Sequence, residues 1–219
     1  MRTLLLTLLA AASVSAQAAY DSLYLRSTVY RNLTALYDLS RTERADIVFF
    51  GNSITYGAGS WGELLGRERV VNRGIGGDNL PGMLRRAGQV TRLRPKLCFV
   101  MAGINDLYTD APPDTVLRRY AQLIDTLTAA GIVPVIQSTL HVNPKWKRTE
   151  EKNPQVARLN AQLRQLAASR SLDFVDLNPV LAPAGVLLDE YTTDGVHLTP
   201  AAYAQWRALL LPVLARHGL

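Results

Sequence analysis

The stretch Ile47-Val48-Phe49-Phe50-Gly51-Asn52-Ser53-Ile54-Thr55 constrains the chain most, because four apolar β-branched and aromatic residues stop at a glycine and a serine follows at once. Such a run reads as a short buried strand. Gly51 suits a tight turn that a side chain would resist. Ser53 then emerges at the C-terminal end of the strand, where open α/β sheets place their chemistry. A lone serine here would more simply cap the next helix, so the rest of the chain has to decide between the two readings.

Four more short apolar runs follow: Val70-Val71-Asn72, residues 97 to 102, residues 132 to 136 and Phe174-Val175. Helical segments separate them. Trp61 to Leu65 suggests a short helix. Asp78 with Pro81 reads as the start of another. Val116, Tyr120, Leu123, Ile124 and Leu127 recur at helical spacing and are stopped by Gly131. Asn153 and Pro154 open a further helix with Val156, Leu159, Leu163 and Leu166 on one face, and Thr199 with Pro200 opens the last. Residues 20 to 40 are expected to form one helix lying against the domain. Strands alternating with helices imply parallel pairing and right-handed crossovers. The expected fold is α/β: a three-layer α/β/α sandwich with a five-stranded parallel sheet in the flavodoxin-like order 2-1-3-4-5. Pro134, inside the fourth run, belongs near an edge. With no repeat or linker, residues 19 to 219 read as a single domain.

Residues 1 to 18 have the form of a secretory leader, with Arg2 as its basic start, Leu4 to Ala12 as its apolar core and Ala16-Gln17-Ala18 as a small-x-small cleavage site. The chain is therefore expected to be exported, to the periplasm or beyond, without a stable membrane anchor. Cys98 is the only cysteine of the 219 residues, so no intramolecular disulfide can form, and it reads as core. The formal charge of +6 favours contact with anionic surfaces. Arg85, Arg86, Arg92 and Arg94 read as a solvated face. Basic residues interleaved with aromatics are not seen, which argues against nucleic acid as a partner.

In this layout Ser53 follows the first strand, Gly77 the second, Asn105 the third, and Asp194 with His197 the fifth. All gather on one edge of the sheet. Acyl transfer needs a nucleophile, a base, a group to orient the base, and donors for a developing oxyanion. Of the three histidines, His217 sits at the end of the last helix and His141 has no acid beside it. His197 has Asp194 three residues earlier across a glycine. A metal at Asp194 and His197 would lack a third ligand. A dinucleotide reading of Gly74-x-Gly76 meets Asn79 where the third glycine should stand. No cofactor is expected.

Gly51-Asn52-Ser53, Asn72-Arg73-Gly74-Ile75-Gly76-Gly77-Asp78, Gly103-Ile104-Asn105-Asp106 and Asp194-Gly195-Val196-His197 together resemble the four motif blocks of the SGNH hydrolases, or GDSL-type esterases, in the same order. The resemblance implies Ser53 as nucleophile, His197 as base and Asp194 as its orienting partner. It also implies an oxyanion hole made by the Ser53 and Gly77 backbone N–H groups and the Asn105 side chain, with Gly76 as the alternative to Gly77. Asn52 replaces the aspartate of the family's name, at a position that is not a catalytic member. Thr55 stands where the α/β-hydrolase pentapeptide would need glycine, which separates the two families. The reading is a serine esterase for short acyl groups on carbohydrate. His141, Tyr56 and Trp61 are candidate substrate contacts, with Trp146 and Tyr191 at the site edge and Lys145, Lys147 and Arg148 giving a hydrophilic approach. The alternatives are a lysophospholipase or acyl thioesterase with the same triad, and a non-catalytic binding module.

Overall fold

A computed structural model describes residues 18–219. All of the expected leader but Ala18 lies outside the described residues. Five strands, β1 (Ile47–Gly51), β2 (Val70–Gly74), β3 (Leu97–Met101), β4 (Val133–Gln137) and β5 (Phe174–Val175), form one parallel sheet in the order β2-β1-β3-β4-β5, flanked by helices. This is the expected topology. Every residue of β1 and β3 is buried, as continuous apolar runs demand in a sheet covered on both faces.

Pro134 fits its place through hydrogen-bond direction. The Val133 N–H donates to Lys96 O on one side (3.1 Å) and the Ile136 N–H to Asp173 O on the other (3.0 Å). That alternation turns the Pro134 nitrogen towards β5, which pairs with β4 only from Ile136 onward. The first half of β4 is thus an edge in practice, and no ladder bond is lost.

The helices depart from expectation in three places. Residues 20 to 40 do not make one helix: a turn at Leu23–Arg26 and a helix at Thr28–Leu39 are separated by Ser27, whose extended backbone and side-chain bond from Tyr30 N start the second piece. The helix Leu80–Arg85 is capped by Asn79, not Asp78. The long helix Thr149–Ser169 starts before Asn153, with Glu150 and Glu151 in its first turn, where acids are favourable. Pro154 therefore lies inside it. The helices Pro113–Ala129 and Pro200–Arg216 bury the apolar faces read from spacing, and Thr199 caps the latter.

Phe49 stacks between Trp61 (3.9 Å) and Phe99 (4.8 Å), and Trp206 meets Trp61 edge-on at 4.8 Å. This aromatic column fixes β1 beneath the last helix. Cys98 is buried core, as expected.

Candidate active site

At the C-terminal edge of the sheet, β1 and β2 end in register at Gly51 and Gly74. Both glycines are there for clearance. A Cβ on Gly51 would sit 2.2 Å from Thr55 Oγ1 and 2.7 Å from Met101 O, and one on Gly74 would sit 2.3 Å from Tyr56 N. Gly51 is therefore not a turn-former, as its sequence context suggested; it lets the next turn fold back over the sheet. Asn52 caps that turn, its Oδ1 accepting from Ile54 N at 2.9 Å. An asparagine does this as well as an aspartate, and the cap leaves Ser53 Oγ free. Tyr203 OH donates to Ile54 O (2.7 Å), and Asn72 Nδ2 donates to Gly59 O (2.9 Å) and Thr55 O (3.1 Å), so the serine turn is held from two directions.

His197 reaches Ser53 from the loop before the last helix. Its Nε2 is 3.0 Å from Ser53 Oγ and its Nδ1 is 2.6 Å from Asp194 Oδ2. Asp194 Oδ1 accepts the backbone N–H groups of Val196 (3.0 Å) and His197 (2.8 Å). Partial burial works to raise the Asp194 carboxyl, but these hydrogen bonds outweigh it and hold the group down at about 2. It is an anion at any working pH. An anion on Nδ1 fixes the imidazole so that Nε2 can accept from the serine hydroxyl.

Ser53, Gly76, Gly77, Ile104, Asn105, Tyr108, Trp146, Lys147, Val196 and His197 line one cleft of about 420 Å³. Asn105 Nδ2 donates to Asp78 O at 2.8 Å, which orients the amide and leaves its second hydrogen unengaged. Asp78 in turn pairs with Arg86, whose Nε donates to it at 2.7 Å. The same guanidinium donates to Gly51 O (3.0 Å) and Arg73 O (2.8 Å) and lies over the Phe50 ring. Arg86 is therefore no part of a solvated face. It is 4% exposed and clamps the ends of β1 and β2 to the glycine-rich turn.

Three expected substrate contacts are not brought to the cleft. Trp61 is 1% exposed, its indole stacked on Phe49 and its Nε1 donating to Thr55 O. His141 is buried against Asn178, with Nδ1 3.0 Å from Asn178 Oδ1, and burial lowers its pKa. Tyr56 is exposed but does not line the walls. Trp146 does line them, edge-on to His197 at 6.4 Å. Of the loop cations, Lys145 pairs with Asp189 and Arg148 with Asp110 and Glu151, whereas Lys147 lines the cleft. Ile104, Tyr108 and Val196 are walls that the sequence did not single out, although Ile104 and Val196 lie inside the motif blocks.

The sheet order and the serine at the end of its second-in-line strand define a hydrolase of the three-layer α/β class. Residues 49–205 match the GDSL-like Lipase/Acylhydrolase family, and the chain belongs to that family of carboxylic ester hydrolases. A GDSL-like lipase from Bacteroides thetaiotaomicron shares the fold, at 24% identity and a TM-score of 0.74 over 86% of this chain and 98% of that one. The lipase/acylhydrolase from Enterococcus faecalis gives 21% identity and a TM-score of 0.69 over 79% and 96%. An acetyl xylan esterase gives 20% and 0.66 over 77% and 98%. No curated protein matches.

Proposed function

We propose that the protein is an exported serine esterase that removes short acyl groups from carbohydrate, with Ser53 as nucleophile, His197 as general base and Asp194 as the anion that orients it. The observation that carries the proposal is the continuous chain from Ser53 Oγ to His197 Nε2 (3.0 Å) and from His197 Nδ1 to Asp194 (2.6 Å).

In this mechanism Ser53 Oγ attacks the ester carbonyl carbon while its proton passes to His197 Nε2. The carbonyl π bond becomes an oxyanion, which the Ser53 and Gly77 N–H groups and Asn105 Nδ2 stabilise. Collapse restores the carbonyl, breaks the bond to the alcohol oxygen and takes the proton from His197, leaving an acyl-enzyme. Water repeats the sequence, its proton passing through His197 to Ser53 Oγ and its oxygen staying with the acid. Because each transfer uses the same imidazole, no further acid or base is required.

The acyl and alcohol preferences rest on the walls. Tyr108, Trp146 and Lys147 offer ring faces and a cation suited to a sugar, and one structure of the same fold is an acetyl xylan esterase. Aryl esters from acetyl to palmitoyl test this: acetyl should turn over fastest, and Ser53→Ala should leave none of the activity. Rates rising with chain length point instead to a lysophospholipase or thioesterase, towards which the apolar walls Ile104 and Val196 would lean. Export predicts a mature chain beginning near Ala19, read by intact mass; retention of Met1 contradicts it.

A further inference from the structure

We propose that the segment from Tyr20 to Tyr37, which precedes the matched family region, is a strap that positions the oxyanion loops through three tyrosine hydroxyls. The inference rests on the serine-esterase reading above. Tyr20 OH donates to Asp106 Oδ1, and the same oxygen accepts the Leu80 N–H at 2.9 Å. Asp106 follows Asn105, and Leu80 lies two residues past Asp78, whose carbonyl receives the Asn105 amide. One carboxylate oxygen thus ties the loop after β3 to the glycine-rich loop after β2, with Tyr20 as its third partner. Tyr37 OH donates to Gly74 O at 2.6 Å, where that glycine-rich loop begins. Tyr30 OH donates to Gly82 O at 2.9 Å, where the loop has become a helix. The three hydroxyls therefore hold the start of one loop, its end, and its link to Asn105.

The apolar face of the strap does not explain its place. On the helix Thr28–Leu39 only Tyr30 is buried, while Val29, Leu36 and Leu39 are exposed. Its attachment is polar: Asp21 pairs with Arg119, Thr34 and Asp38 accept from Gln89, and Asp38 pairs with Arg92, but only the three tyrosine hydroxyls end on segments that carry an oxyanion donor or border one. None of the three lines the cleft, so they are positioning residues that act through Asp106 and the loop backbone. Oxyanion donors contribute only when already aimed at about 2.7 to 3.1 Å from the charge, and small displacements at a reacting centre are costly.

The test compares Tyr20→Phe, Tyr37→Phe and Tyr24→Phe, each assayed well below its melting temperature. Tyr24 packs against the Tyr30 ring at 4.8 Å and serves as the control. With an aryl acetate, Tyr20→Phe and Tyr37→Phe should lower kcat about tenfold with KM within about twofold. Their affinity for phenylboronic acid, which forms a tetrahedral adduct with an active serine, should fall by a similar factor, and Tyr24→Phe should match wild type. Wild-type kcat in both variants overturns the proposal, as does a parallel change in kcat and KM with boronate affinity unaltered. If Tyr20→Phe does not fold, Tyr37→Phe decides. Failure of the esterase reading shows separately, as undiminished turnover in Ser53→Ala.

Discussion

At the scale of single residues, the site divides into groups that move protons and groups that hold charge. Asp194→Asn keeps the shape of the side chain but gives up the anion on His197 Nδ1, so it should cost on the order of 10⁴ in kcat, against about 10⁶ for Ser53→Ala or His197→Ala. Asn105→Ala should fold normally and lose roughly 10² to 10³ in kcat with little change in KM, because the amide meets more charge in the tetrahedral intermediate than in the ester. Steady-state kinetics on the purified variants checks both. A near-normal kcat in Asn105→Ala would leave its bond to Asp78 O as a loop contact only. Ser53 and Asn105 were legible because each follows the end of an apolar run, and His197 because it alone of the three histidines has an acid, Asp194, three residues before it across a glycine. Their companions were not. Trp61 and Trp146 are both aromatic residues in polar company, yet one is core and the other a wall.

At the scale of elements, the loop from residue 141 to the helix Thr149–Ser169 packs directly on the loop that carries the triad. Asn143 N donates to Gly195 O (2.8 Å), and Thr149 Oγ1 donates to Asn143 O (3.0 Å). Gly195 has φ +100, and a Cβ there would meet Trp146 N at 2.4 Å. Gly195→Ala is thus doubly unfavourable, through backbone strain of about 1 to 3 kcal/mol and through a clash with backbone. It should displace Trp146 and with it the hydrogen bonds of His197. The expected outcome is a lower denaturant midpoint together with a loss of activity in the protein that remains folded. A stable, fully active Gly195→Ala would show that the two loops are not packed in this way. The sequence marked Lys145, Lys147 and Arg148 of this loop as a hydrophilic approach, but nothing local says that the loop closes over His197.

For the whole molecule, the cost of packing loops over a sheet edge shows in its buried charges. Burial pushes the Asp106 carboxyl up to about 6, and the hydrogen bonds from Tyr20 and the Leu80 N–H pull it back only in part. An unfolded aspartate titrates near 3.9, so between about pH 4 and 6 the native state binds a proton that the unfolded chain has released. The contribution of Asp106 to stability is complete below that window and is lost as pH rises through 6. Asp106→Asn cannot titrate, so the stability of wild type relative to the variant should fall across the window, by on the order of 2 kcal/mol. Urea midpoints of the two proteins at pH 4 and pH 7 measure it, and a constant difference would mean that Asp106 titrates alike in both states.

What the sequence by itself determined is the segmentation of the chain and the order of its sheet. Period and run length report which residues an element must bury, and alternating strands and helices leave few ways to connect them. What only the tertiary structure decided is what each buried group is buried against. Arg86 ends on two strand carbonyls and Asp78, while Arg85, its neighbour in the same basic cluster, is exposed. Tyr20 ends on a carboxylate 86 residues away. Such partners are set by how loops close over the sheet edge, a geometry that no local pattern carries, because the same side chains would satisfy periodicity equally well if they faced water.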